Sequence, residues 1–316
     1  MMKKAYIKLM ILTFPFILLF AFSFIHDQYT KFAYHKITLS CNGDFIYHRI
    51  CEDTTPINVA FMGTSKTTNG INDLLIRFSY EYYLHRTLNP VVLSFCGGGR
   101  NIQYSILKML FEHKNPDVLF LEVNEFEVNE GHESYGVLAE VCDLFFPQFF
   151  NPIHYLRDIG EGFAGRLDFI RSGFKIDSIG PLPDHGFLPY VHKGDSLMLM
   201  QYKNSKRESK NKTSQSPSLN KLPSLTYVKR IVEMANQHDC KVIFLYLPSF
   251  GYNGNPIQNV DFYQELGEIW YPPRDILDNT AYWHDTWHFS RQGADSTTAW
   301  LIKRMQEPEF DRLVRK

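Results

Sequence analysis

Ile57-Asn58-Val59-Ala60-Phe61-Met62-Gly63-Thr64-Ser65 is the stretch that decides the fold. A short apolar run with β-branched residues stops at a glycine and hands over a serine, and the next helical pattern begins at about Gly70. Apolar runs of this length, closed by turn residues, read as strands buried on both faces. A serine directly after such a strand stands at the carboxyl edge of a sheet, where α/β folds build their sites. Outward from here the alternation repeats. Residues 72–88 have helical apolar spacing, 90–95 read as a strand, 101–113 as an amphipathic helix and 117–123 as a continuous apolar strand. Beyond an interruption, 225–238 read as a helix, 241–247 as a buried strand and 291–305 as a closing helix.

Strands separated by helices predict an α/β fold: a flavodoxin-like parallel sheet with helices on both faces. The 316 residues, 44% hydrophobic and 15% aromatic, suffice for one full core, and a net charge of -1 gives no electrostatic ground for a nucleic-acid partner. Residues 56–124 and 224–316 form the expected catalytic domain. Residues 125–223, rich in aromatics and proline, read as an insertion or cap over the catalytic edge, with a polar, mobile loop at about 203–221.

The N-terminus is set apart. Lys3, Lys4 and Lys8 precede an uncharged run, 9–25, rich in Leu, Ile and Phe. Its length is at the short end for a membrane-spanning helix, and the preceding basic residues keep the N-terminus cytoplasmic and send the rest outward. A cleavable signal peptide is the competing reading, but bulky rings interrupt Ala21-Phe22-Ser23-Phe24 where a small-x-small site is needed. Residues 1–30 are thus expected as a cytoplasmic tail and uncleaved anchor, and 31–55 as a linker. In an oxidising compartment Cys41 and Cys51 can close a small loop within that linker, while Cys96, Cys142 and Cys240, in or beside apolar runs, read as buried thiols.

The chemistry is concentrated in Tyr282-Trp283-His284-Asp285-Thr286-Trp287-His288-Phe289-Ser290. On a loop or first helical turn the three-residue spacing lets Asp285 orient His288, which would take a proton from a nucleophile, and Ser65 supplies one. Two further features reach the same sheet edge. In Cys96-Gly97-Gly98-Gly99-Arg100-Asn101 the absence of side chains lets backbone N–H groups approach a substrate oxygen, and Asn124, at the end of the third strand, can donate to an oxyanion. The glycines are contiguous and do not form a dinucleotide fingerprint. His284 and His288 also have a zinc-type spacing, but no later histidine supplies a third ligand, and the aromatic cluster suggests a loop rather than the helix such a site needs. No cofactor or metal is expected.

The order Gly63-Thr64-Ser65, glycine turn, Asn124, Asp285-x-x-His288 resembles the four blocks of the SGNH hydrolase superfamily. The resemblance covers about 57–124 and 240–305. It implies Ser65 as nucleophile, an oxyanion hole of the Ser65 N–H, Gly98 and Asn124, His288 as base and Asp285 as its orienting acid. Two blocks depart from the usual letters: G-T-S replaces G-D-S, and Glu122-Val123-Asn124-Glu125 replaces G-x-N-D. With its single expected anchor the chain is similar to the membrane-tethered branch that includes D-alanine transfer proteins and exopolysaccharide acetyltransferases. That likeness implies an extracytoplasmic acyltransferase or esterase acting on acyl esters of a cell-envelope glycan, with an acyl-carrier substrate and an integral membrane acyl-exporting partner. The other reading is a catalytically silent glycan-binding or scaffold protein of an envelope complex.

Overall fold

The computed structural model describes residues 6–11, 13–14, 26–37, 41–123, 127, 131–148, 151–176, 180–209, 223–251, 257 and 259–314. Five parallel strands form one sheet in the order β2-β1-β3-β4-β5. They are β1 (Val59–Met62), β2 (Pro90–Val92), β3 (Val118–Val123), β4 (Lys241–Tyr246) and β5 (Glu268–Trp270). The helices in chain order are α1 (His26–Lys36), α2 (Gly43–Tyr47), α3 (Ser65–Gly70), α4 (Asp73–Leu84), α5 (Arg100–His113), α6 (Tyr135–Leu138), α7 (Val141–Phe145), α8 (Pro152–Arg171), α9 (Ser196–Ser209), α10 (Pro223–Gln237), α11 (Val260–Leu266), α12 (Arg274–Leu277), α13 (Arg291–Met305) and α14 (Pro308–Asp311).

Alternation along the strands divides the core in two. Ala60, Met62, Leu119, Leu121 and Phe244 pack with Ile106 and Leu110 of α5 and Val228 and Ile231 of α10. Val59, Phe61, Phe120, Ile243 and Leu245 pack with Ile76 and Tyr80 of α4 and Leu301 and Met305 of α13. Both faces of the sheet are therefore covered, which is why its strands read as unbroken apolar runs rather than alternating ones. Strand order reverses at β1, and sheets of this kind place their sites at the carboxyl edge beside such a reversal.

Several expectations are corrected. Cys41 is bonded to Cys96, with Cα atoms 5.0 Å apart, and not to Cys51. The cause is local: α2 and the π turn His48–Glu52 fill the interval with helix. Ten residues of helical rise hold Cys41 and Cys51 more than about 10 Å apart, beyond the roughly 7 Å limit for bridged Cα atoms. Cys51 and Cys142 are in no disulfide, Cys142 is exposed rather than buried, and Cys240 is a buried thiol. The polar stretch from 203 begins as helix, because α9 runs to Ser209; residues 210–222 lie outside the described residues. Strand β5, three residues long, has no counterpart in the sequence reading. Among the described residues no helix is long and apolar enough to cross a membrane, and positions 12 and 15–25 of the expected anchor lie outside them.

The segment between β3 and β4 reaches the edge of the sheet where α3 begins. The Leu188 N–H donates to Thr68 O at 3.0 Å, and the Arg291 N–H donates to Tyr190 O at 2.8 Å. Residues 188–190 are thus laid between α3 and the start of α13.

Candidate active site

Gly63 follows β1 directly, and Thr64 caps α3, its Oγ1 accepting from the Lys66 N–H at 3.3 Å. Ser65 is the first residue of that helix. What holds this turn is Glu122, a carboxylate only 1% exposed near the end of β3. It accepts from the Thr64 N–H at 2.8 Å, Thr64 Oγ1 at 2.8 Å, the Thr67 N–H at 3.2 Å and Thr67 Oγ1 at 2.5 Å. A buried carboxylate is tolerable only when its lone pairs are filled in this way. Gly63 makes the approach possible, since a Cβ there would collide with Thr67 Oγ1 and the Glu122 carboxylate. Thr64 and Glu122, two of the residues at which the sequence departs from the blocks it resembles, are therefore one feature: they touch.

The Asp–His loop anchors itself. Trp283 and Phe289 pair as an antiparallel bridge, both buried, with ring centroids 4.4 Å apart. The Trp283 indole N–H donates to Leu277 O at 3.1 Å, and the Phe250 N–H, from the loop after β4, donates to Thr286 O at 2.9 Å. With both ends fixed in the core, the residues between them face outward. Asp285 Oδ1 accepts from the N–H groups of Trp287 at 2.7 Å and His288 at 2.8 Å, and Oδ2 lies 2.9 Å from His288 Nδ1. Burial works to raise the Asp285 pKa, but the His288 hydrogen bond and these two N–H groups outweigh it and hold the carboxyl below its ordinary value. An ionised carboxylate at Nδ1 assigns the proton to that nitrogen and leaves Nε2 as an acceptor. Ser65 Oγ lies 2.8 Å from His288 Nε2, although 223 residues separate them.

The sequence-predicted residues thus fall as follows. Ser65, His288 and Asp285 form one hydrogen-bonded chain. Gly98 sits in the turn beyond β2, whose backbone still follows β1 as far as Phe95, the Phe95 N–H donating to Gly63 O at 3.3 Å. Gly97 (φ 69°) and Gly99 (φ 147°) flank it in conformations that favour glycine. Asn124 lies outside the described residues. The zinc spacing is not realised on a helix: residues 283–289 are loop, and His284 Nδ1 faces His192 O at 2.8 Å.

Other residues of the site escaped the sequence reading. Arg100, 3% exposed, forms a bidentate ion pair with Glu127 (Nη2–Oε1 2.6 Å, Nε–Oε2 3.0 Å) and donates to the main-chain oxygen of Glu122 at 2.8 Å. Burial opposes the Arg100 charge, but Glu127 prevails and raises its pKa. The pair fastens the exit of the glycine turn to the segment after β3, and Tyr263 adds a hydroxyl to Glu127. At the rim, Tyr190 stacks on His284 with centroids 4.1 Å apart and tilts against His288 at 5.2 Å. Trp287 is 49% exposed, with Lys66 Nζ 5.1 Å from its ring centroid. One signal was available: Glu122 and Arg100 are charges inside or beside apolar runs, and buried charges require partners.

A scan of protein-family models gives no match for this chain, and a search of curated proteins likewise gives none.

Proposed function

We propose that the chain is a serine-dependent acyltransferase or esterase, SGNH-like in its site, that acts on acyl esters of a cell-envelope glycan. One observation carries this reading: Ser65 Oγ stands 2.8 Å from His288 Nε2, with Asp285 Oδ2 2.9 Å behind Nδ1. Nucleophile, base and orienting acid in this order, at these distances, are what acyl transfer through a covalent intermediate needs.

In the proposed reaction Ser65 Oγ attacks the carbonyl carbon of an ester or thioester while its proton passes to His288 Nε2. The oxyanion of the tetrahedral intermediate rests on the N–H groups of Ser65 and the glycine turn at Gly98, and on the Asn124 amide. As the intermediate collapses, the bond to the leaving group breaks, the leaving group takes the proton from His288, and an acyl-Ser65 ester remains. Water or a sugar hydroxyl then attacks that ester, giving its proton to His288, and Ser65 leaves with the proton returned. General-base assistance of this kind contributes about two to four powers of ten, and one oxyanion donor about two to three.

The substrate class, the single N-terminal anchor over 9–25, the extracytoplasmic placement and an integral membrane acyl-exporting partner belong to the same proposal, and they rest on the resemblance and the basic–apolar pattern of the N-terminus. A serine-directed fluorophosphonate tests the chemistry. Labelling of full-length protein at Ser65, lost in His288→Ala, is the expected outcome. A folded protein that never labels would instead favour the silent scaffold.

A further inference from the structure

The glycine turn is gripped at its first residue from two sides. Cys96, which opens it, is bonded to Cys41 of the N-terminal helical segment. On the other side His132, 6% exposed, has its Nε2 2.9 Å from Cys96 O. The Ser134 N–H donates to His132 Nδ1 at 3.0 Å, so Nδ1 bears no proton, and Nε2 carries the one that is donated to Cys96 O. The ring also lies edge-on to Phe95 at 5.0 Å. The turn closes tightly around this imidazole. A Cβ on Gly99 would lie 2.7 Å from His132 Cβ and N, and one on Gly97 would lie 3.2 Å from Nε2. At the far end Asn101 Oδ1 accepts from the His132 N–H at 3.0 Å and from the Ile102 N–H at 2.9 Å. A peptide plane whose carbonyl is fixed leaves the N–H on its other side fixed as well, because the unit is rigid. The Cys96 carbonyl and the Gly97 N–H share one plane.

We propose that His132 and the Cys41–Cys96 disulfide are positioning elements of the oxyanion turn, and that the reactivity of Ser65 depends on this cysteine pair being oxidised. The inference rests on the catalytic reading given above. Neither group touches the reacting atoms; both fix the peptide that opens the turn and leads directly into the Gly98 donor. Loss of either clamp frees the 96–98 backbone to rotate, and donors that must reorganise during the reaction stabilise the transition state less. Opening the bond takes up two electrons and two protons, as dithiothreitol closes to its cyclic disulfide. The sulfurs of Cys41 and Cys96 and a His132 ring nitrogen also lie within 4.8 Å of one another, a spacing compatible with a metal. The geometry favours the clamp, because both sulfurs are used in the bond and Nε2 is used on Cys96 O.

The test uses full-length protein in three forms, oxidised, reduced with dithiothreitol, and His132→Ala, and follows fluorophosphonate labelling at Ser65 together with amide exchange over 97–101. Reduction and His132→Ala should each slow labelling about 10- to 100-fold, speed exchange in this turn, and leave the sheet amides protected. On a turned-over acyl ester the loss should appear in kcat with KM unchanged. His132→Gln, whose side-chain N–H can reach the Cys96 carbonyl, should recover most of the rate. Unchanged labelling and exchange on reduction would overturn the proposal, and so would stoichiometric zinc in protein purified without chelator. If even the oxidised protein never labels, the catalytic reading fails, while the exchange comparison still decides whether the clamp exists.

Discussion

The loop from Trp283 to Phe289 and the turn from Gly63 to Thr67 each bring one partner to the Ser65–His288 contact, but they are held by opposite means. The loop is fixed mainly by its own ends, through the Trp283–Phe289 bridge, and by backbone N–H groups donated to Asp285 from two and three residues on. The turn is fixed by a carboxylate 58 residues from Thr64, buried in the neighbouring strand. Proximity in sequence makes the loop readable and tolerant; dependence on one remote charge makes the turn rigid and brittle. Substitutions in the loop should therefore cost rate with little stability, and substitutions around the turn should cost both.

The largest effect is expected from His288→Ala, which should lower Ser65-dependent turnover about a million-fold while the melting temperature stays within a few degrees of wild type. A large fall in melting temperature would break the comparison. Asp285→Asn should cost about ten-thousand-fold in kcat, because the amide no longer holds the Nδ1–H tautomer; substrate turnover and thermal melts measured side by side would check both halves. Glu122→Ala leaves four donors facing a cavity and should cost about 3–5 kcal/mol in denaturant unfolding, with Ser65 labelling slowed in the fraction that remains folded. An unchanged unfolding midpoint would mean that the turn is held by something else. Gly63→Ala should destabilise by about 1–3 kcal/mol through overpacking against Thr67 and Glu122.

The smallest effect is one of pH. Asp285 has a depressed pKa in the fold, so its contribution to stability is complete above its ordinary carboxylate range and is lost as pH falls through the depressed value. Because the side chain is 43% exposed, solvent screens that contribution. The stability difference between wild type and Asp285→Asn should be small and flat above about pH 5 and should narrow only below about pH 4. His132 has the opposite charge type: burial depresses its pKa, which favours the neutral ring. Stability from that ring is present above about pH 6.5 and declines as pH falls through the unfolded value toward the folded one. Wild type should therefore lose stability relative to His132→Gln between about pH 7 and 5, as followed by chemical unfolding at each pH.

How far the sequence could be read follows the same division. β1, β3 and β4 and the helices α4, α5, α10 and α13 were visible as apolar periodicity, because each element buries its own pattern. β5 was not, because three residues give no period and its burial depends on α13 and α14 around Trp270. Ser65, Asp285 and His288 could be picked out because strand-end placement and a three-residue spacing are local signals. Glu122, Arg100 and His132 could not be assigned roles, since what defines each is a partner on another strand or loop. The cysteine pairing failed for the same reason. A short interval in sequence suggested Cys51, whereas helix filled that interval and the sheet edge brought Cys96 instead.

The contact between Thr64 and Glu122 also constrains how this site can change. Thr64→Asp, which would place the acid of the resembled block here, sets a second carboxylate beside Glu122 where a hydroxyl now donates, and the two acceptors would repel each other and break the hydrogen bonds that hold the turn. Thr64→Asp is thus a lesion unless position 122 changes first, which fixes the order in which these two touching residues can be exchanged.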